Sequence, residues 1–140
     1  MKNFFVLACT TALLSANIPI AKAERACSNA SIAGKYGTQA SGQIVRENVP
    51  PVLFAETGVI NFDGQENLNG NDTVSFNGNI TKSNYSGTYS VKEDCTFSAK
   101  FTDNLGNTVN WTGTVVNNGK EILVLEAVPS TVITAVFKRI

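Results

Sequence analysis

GTYSVKEDCTFSAKF, residues 87–101, reads as two β-strands joined by a charged turn. Tyr89 and Val91 alternate with polar neighbours, Lys92-Glu93-Asp94 interrupts the run, and Cys95, Phe97, Ala99 and Phe101 resume it. A period of two places alternate residues on one face of a strand, so both halves of this stretch have one apolar face and one polar face. Cys95 holds the first inward position of the second run. It is a packed apolar residue, a reactive thiol or half of a bridge, and the rest of the chain chooses among these.

The N-terminus sets the compartment. Lys2 supplies a short positive region, Phe4 to Ala16 is an almost purely apolar run, and Asn17, Pro19 and Ala21-Lys22-Ala23 provide a helix break and an A-x-A cleavage site. This is the pattern of a secretory signal peptide over residues 1–23, with the mature domain spanning 24–140. The apolar run is shorter than the roughly 20 residues needed to span a bilayer. The expected location is therefore secreted or periplasmic, with no membrane span in the mature chain. Cys9 leaves with the signal, and Cys27 and Cys95 remain. An even pair in an oxidising compartment is expected as a disulfide, the alternative being two separate buried thiols. Two cysteines and no histidine do not complete a zinc site.

Removing Lys2 and Lys22 leaves 9 Lys and Arg against 11 Asp and Glu, so the mature chain has no basic field for nucleic acid. The absence of histidine removes the Ser-His-Asp and Cys-His relays. No phosphate-binding loop, nucleophile elbow or dinucleotide fingerprint occurs, so neither a catalytic set nor a cofactor is expected. Asp63 to Asp72 is rich in oxygen ligands, but an EF-hand loop needs Gly at its sixth position and Glu at its twelfth. Counting from Asp63 gives Leu68 and Val74, and counting from Asn67 gives Asp72 and Gly78, so a hairpin loop is expected and no metal site.

After the signal the chain alternates throughout, punctuated by Asn, Asp and Gly clusters. Strands are expected over about 34–46, 52–62, 67–76, 79–91, 95–102, 107–116, 120–127 and 131–139, with breaks that include Val49-Pro50-Pro51 and Asn77-Gly78. The fold class is all-β. Of the sandwich and the closed barrel, the barrel is favoured: every connection is short, Trp111 follows both cysteines rather than lying between them, and closure removes exposed edges. The expected architecture is a single antiparallel up-and-down barrel of about eight strands with one disulfide.

The inward face is expected to carry Tyr36, Ile44, Phe54, Ile60, Phe62, Phe76, Tyr85, Tyr89, Phe97, Phe101, Val109, Trp111, Val115, Ile133 and Phe137. Gly42, Gly58, Gly87 and Gly113 fall inside strands, as barrel corners or bulges do. So many aromatics either fill the interior or line a cup for a small apolar ligand, with Tyr36, Tyr89, Phe97 and Trp111 as candidate wall residues.

Ser31-Ile32-Ala33-Gly34-Lys35-Tyr36 resembles the Gly-x-aromatic opening of the first strand in calycins, the lipocalin-like barrels. Lys138-Arg139 resembles the basic residue that closes that end of those barrels. Phe62-Asp63-Gly64 and Gly87 to Cys95 also look like small exported bacterial barrel proteins, related in style to allene-oxide-cyclase-type barrels. The resemblance implies the barrel fold and, from the cyclase side, a cofactor-free isomerase or cyclase acting inside it.

One inward residue breaks the apolar pattern. Phe54, Glu56, Gly58, Ile60 and Phe62 share a face on which Glu56 is the charge. Arg46, in register with Tyr36 and Ile44, is placed to reach it diagonally, which would give a buried pair. The alternatives are that one or both lie at a solvated mouth, or that a bulge turns Glu56 outward. The function expected is non-catalytic binding of a small apolar molecule, or a structural module. The alternatives are the isomerase or cyclase and a protein–protein adaptor.

Overall fold

A computed structural model describes residues 26–140; the segment 1–23, expected from the sequence to be a signal peptide, lies outside the described residues. The chain forms β1 (Gly34–Arg46), β2 (Val49–Phe62), β3 (Asn67–Phe76), β4 (Asn79–Val91), β5 (Thr96–Asp103), β6 (Thr108–Val116), β7 (Glu121–Glu126) and β8 (Thr131–Arg139). Each strand pairs antiparallel with the next, and β8 returns to β1 to close the barrel. The closing register runs from Tyr36 opposite Arg139 to Ile44 opposite Thr131. An up-and-down barrel is thus the observed architecture, as the short connections demand. Among the described residues no helix is long and apolar enough to cross a membrane.

Turn chemistry explains the connections. Asn77-Gly78 joins β3 to β4 with both residues at positive φ, as a tight hairpin requires. Asp63 opens the β2–β3 loop, its carboxylate accepting from the backbone amides of Gln65, Glu66 and Asn67 and from the Asn67 amide side chain. Those bonds hold the Asp63 carboxyl below the usual range. Asp103 and Asn107 repeat the device between β5 and β6, where the Leu105 and Asn107 amides donate to Asp103. The oxygen-rich Asp63 loop is therefore a self-capped hairpin turn.

Two local expectations change. Val49-Pro50-Pro51 is not a break. The turn is Glu47-Asn48, with Asn48 at φ 60°, and β2 starts at Val49. The prolines fit because the β1–β2 register shifts between Ile44 and Arg46, and because β3 pairs with β2 only from Phe54 onward. Their missing N–H groups fall beside a bulge and on an unpaired edge. Cys95 also lies outside β5. It sits in the preceding turn at φ 68°, its amide donating to the Lys92 carbonyl.

The core fills one end of the barrel. Tyr36, Ile60, Phe62, Phe97, Ile122 and Phe137 are fully buried there. Phe62 is the hub, packing edge-on against Tyr36, Tyr89 and Phe97 at ring-centroid distances of 5.5, 4.8 and 5.9 Å. Such pairs contribute about 0.5–1.5 kcal/mol each beyond the area they bury.

A candidate ligand site at the open end of the barrel

The two ends of the barrel differ in how they are finished. At one end the chain folds over the opening. A single 3-10 turn, Asn29–Ile32, drives Ile32 into the core, where it is fully buried. The disulfide Cys27–Cys95, with Cα atoms 5.0 Å apart, ties this segment to the β4–β5 turn. The bridge expected from the cysteine count is therefore present. Arg139, near the end of β8, completes the closure. Its guanidinium donates to the carbonyls of Ala33, Ser31 and Gly119 at 2.5, 3.1 and 3.1 Å and to Tyr36 Oη at 2.7 Å, and it lies 4.9 Å from the Tyr36 ring centroid. Tyr36 Oη in turn donates to the Gly119 carbonyl. Planar, multidentate donation with ring stacking is chemistry that lysine does not reproduce.

At the other end the strands finish in short turns, and among the described residues no segment crosses the opening. Burial falls away toward it: Ile44, Phe54 and Val109 are half-buried, and Phe76, packed against Phe54 at 5.5 Å, is 36% exposed. All four belong to the expected inward face.

The interior of this half is polar. The registers build it strand by strand. Thr38 on β1 faces Gly58 on β2, Gly58 faces Asp72 on β3, and Asp72 faces Ser83 on β4. Glu56, two residues along β2 from Gly58, is therefore a diagonal neighbour of both Thr38 and Asp72. Gly58 is needed at the centre of this group. A Cβ there would lie 2.3 Å from the Asn71 carbonyl oxygen and 2.8 Å from the Asp72 Cα. Gly70 has the same role one row further along, where a Cβ would meet the Tyr85 ring and hydroxyl at 2.4 Å. Without a side chain at Gly70, Tyr85 lies across β3 and its hydroxyl donates to the Val59 carbonyl at 3.4 Å.

The electrostatics of these side chains follow from their burial and from one another. Burial first, and then the neighbouring Asp72 and Glu126 carboxylates, together push the Glu56 carboxyl up to about 8. Asp72 is also raised, first by burial, against the hydrogen bond that Ser83 donates to it and with repulsion from Asp103. Glu126 is raised by burial, and the Tyr85 hydroxyl by burial and by Glu56 and Asp72. The upper interior is acidic, with aromatic side chains around it. Two buried polar atoms in it have no hydrogen-bond partner: Thr38 Oγ1 and Glu56 Oε1.

The expected pairing of Arg46 with Glu56 is not made. Glu56 does point inward, but Arg46 lies beyond the β1 bulge, opposite Val49, and is exposed at the rim. The charges that act on Glu56 are like charges.

The other candidate residues divide between the two ends. Tyr36, Tyr89 and Phe97 belong to the filled end. The Tyr89 hydroxyl accepts from the Gly64 amide at 2.9 Å, and Phe97 is wholly enclosed. Trp111 sits between the halves, packed on Phe101 at 4.6 Å and Phe137 at 4.9 Å, with Glu126 opposite it on β7. Thr38, Asp72, Ser83 and Glu126 share this interior with Glu56 and were not expected there from the sequence. Their inward parity was available: Asp72 alternates with Leu68, Gly70 and Val74, and Glu126 with Ile122 and Val124.

No family model matches the chain, and no curated protein matches it.

Proposed function

We propose that the mature chain is an exported binding protein, working in the secreted or periplasmic compartment, that admits a small molecule through the open end of its barrel without transforming it. The ligand is apolar over most of its body and carries one polar group toward Glu56 and Thr38. The observation that carries this reading is the pair of unpartnered atoms, Thr38 Oγ1 and Glu56 Oε1, facing an interior whose mouth is lined by Phe54 and Phe76. A buried polar group without a partner costs about 1–3 kcal/mol, and a ligand that satisfies it recovers that cost on binding. The disulfide supports the oxidising compartment, and the closed barrel supports the calycin kinship suggested by the Gly34-Lys35-Tyr36 opening and by Arg139.

A cofactor-free isomerase or cyclase is the second reading, favoured by a single feature. A carboxyl with pKa about 8 inside a barrel, beside Tyr85, is matched to proton transfer near neutral pH. Native mass spectrometry of protein purified from its own source separates the two. A retained small molecule recovered chemically unchanged after incubation supports the binding protein. A retained molecule converted to an isomer supports the enzyme. Protein that is ligand-free and stays so against chemically varied small molecules argues for a filled structural module.

A further inference from the structure

We infer that the ligand of the open end is a small organic cation, an alkyl- or arylalkylammonium ion, whose charged head seats among Glu56, Asp72 and Glu126 while its body lies against the mouth aromatics. The inference rests on the binding reading above and names its ligand class.

Four lines of geometry converge on it. First, the charged groups that act on Glu56 from the surrounding strands are both acidic, Asp72 on β3 and Glu126 on β7, with neutral Thr38 on β1 and Ser83 and Tyr85 on β4 beside them; Asp103 on β5 adds to the negative field at Asp72 while its carboxylate caps the β5–β6 turn. The basic side chain in the inward register of β8, Arg139, is at the opposite end and committed to Tyr36 and three carbonyls. Arg46 and Glu47 are exposed at the rim. Second, Thr38 is only 4% exposed, and its hydroxyl, beside this acidic group, lacks a partner. A hydroxyl and a carboxylate oxygen together offer the acceptors that an ammonium head, a donor only, requires. Third, the carboxylates are not gathered as a metal site gathers them. Among the described residues no three acidic, histidine or cysteine side chains come close enough to hold a metal ion. Acidic groups spread in this way suit a polyatomic organic cation better than a bare metal ion. Fourth, the walls are aromatic: Phe54 packs on Phe76 at the rim, and Tyr85 on Phe101 at 4.9 Å deeper in. Ring faces attract organic cations and also accept the apolar remainder of the ligand.

The charge balance has a consequence. Without a cation beside it, the raised Glu56 carboxyl holds a proton at neutral pH. An ammonium ion seated there takes over the neutralising role, so Glu56 ionises and one proton is released to solvent on binding. The ligand keeps its own charge throughout, since amines of this class titrate near pH 10. Affinity for the cation therefore rises as pH increases toward about 8 and levels off above it.

The test is calorimetric titration of the full mature protein with primary alkylammonium ions from methyl to hexyl, alongside the matched alcohols and carboxylates. The titrations are run in two buffers of different ionisation enthalpy at about pH 7. The expected result is that the longer ammonium ions bind roughly tenfold or more tightly than the matched alcohols. The carboxylates should show no binding, and the buffer comparison should show a proton released. Glu56→Gln and, separately, Asp72→Asn should each weaken ammonium binding by a similar factor, and Glu56→Gln should abolish the proton release. Circular dichroism confirms that both variants are folded. Alcohols that bind as well as the ammonium ions overturn the cation while leaving the binding site standing. Failure of all three series on folded protein overturns the cation and the small-molecule reading together.

Discussion

The closed end of the barrel gives partners to the polar groups it buries, whereas the open end leaves some without. Arg139 alone supplies donors to three carbonyls and a tyrosine hydroxyl at the closed end, and a disulfide fixes the segment that covers it. The open end holds several carboxylates in one interior and leaves Thr38 Oγ1 and Glu56 Oε1 unsatisfied. Local consistency is what makes a sequence specify a fold, and departures from it collect where a protein has work to do. On the binding reading proposed above, stability and function are segregated along the barrel axis, and substitutions at the two ends should behave differently.

The largest contrast is in packing. Phe97 is fully enclosed by Phe62 and Phe137, so Phe97→Ala should destabilise by about 3–5 kcal/mol in urea unfolding. Phe54 occupies the same inward face but stands half-buried at the mouth, and Phe54→Ala should lose only about 1–2 kcal/mol. Equal losses would mean that the interior is packed uniformly and would end the comparison. Replacing both Cys27 and Cys95 by serine should come next. The bridge closes a segment spanning 68 positions, and its removal should lower stability by about 2–4 kcal/mol, since the crosslink restricts the unfolded chain. Ligand binding at the far end should be unaffected under conditions where the variant is folded, which titration at low temperature checks.

Glu56 supplies an effect of opposite sign. Its carboxyl titrates at about 8 in the folded protein against 4.5 ordinarily, so the native state keeps a proton that the unfolded chain has lost. The contribution of this group is therefore most favourable below about pH 4.5 and is lost as pH rises through 8, a change of a few kcal/mol. Glu56→Gln should match the parent near pH 4.5 and exceed it in stability by about 2–4 kcal/mol at about pH 9, measured as urea midpoints across that range. Asp63 and Asp94, whose carboxyls are lowered by hydrogen bonds, act in the opposite direction and lose their contribution only in acid. A Glu56→Gln protein weaker than the parent at every pH would mean that a cation supports Glu56 after all, and would restore the Arg46 pairing expected from strand register.

The barrel itself was legible in the sequence because each element reports locally. Alternation marks the strands, and Asn77-Gly78, Asp63 and Asp103 mark the turns with side chains that bond their own backbone. The misplaced boundaries have different causes. Residue type marks Pro50-Pro51 as a break and alternation carries Cys95 into a strand, but a bulge and the absence of a β3 partner make the prolines acceptable in a strand. A left-handed backbone removes Cys95 from one. Glu56 was visible because it interrupts an apolar face. Asp72 was not, because β3 carries Asn, Thr and Ser on its outward face and its alternation is faint. Glu126 could be seen as inward, but its effect on Glu56 joins β7 to β2 across the barrel. That proximity follows from the β1–β8 closing register, which no local pattern encodes.

The smallest effect is the most discriminating. Thr38 is paired across β1–β2 with Gly58 and across β1–β8 with Phe137, so its hydroxyl has a bare backbone on one side and a ring on the other. Thr38→Val keeps the branched shape and removes the unpartnered oxygen. With the hydroxyl buried and unpartnered, the substitution should stabilise the ligand-free protein by up to about 1 kcal/mol, since a buried unsatisfied group is relieved and nothing is left unpaired. The same change should weaken ligand binding severalfold, because the hydroxyl then serves as an acceptor for the bound molecule. A stability gain together with an affinity loss is the signature of a group held in reserve for a ligand. Loss of stability with unchanged affinity would instead place an ordered water on Thr38 Oγ1 and make it one more satisfied core hydroxyl, leaving Glu56 and Asp72 to carry recognition. Differential scanning calorimetry and titration of Thr38→Val with hexylammonium distinguish the two outcomes.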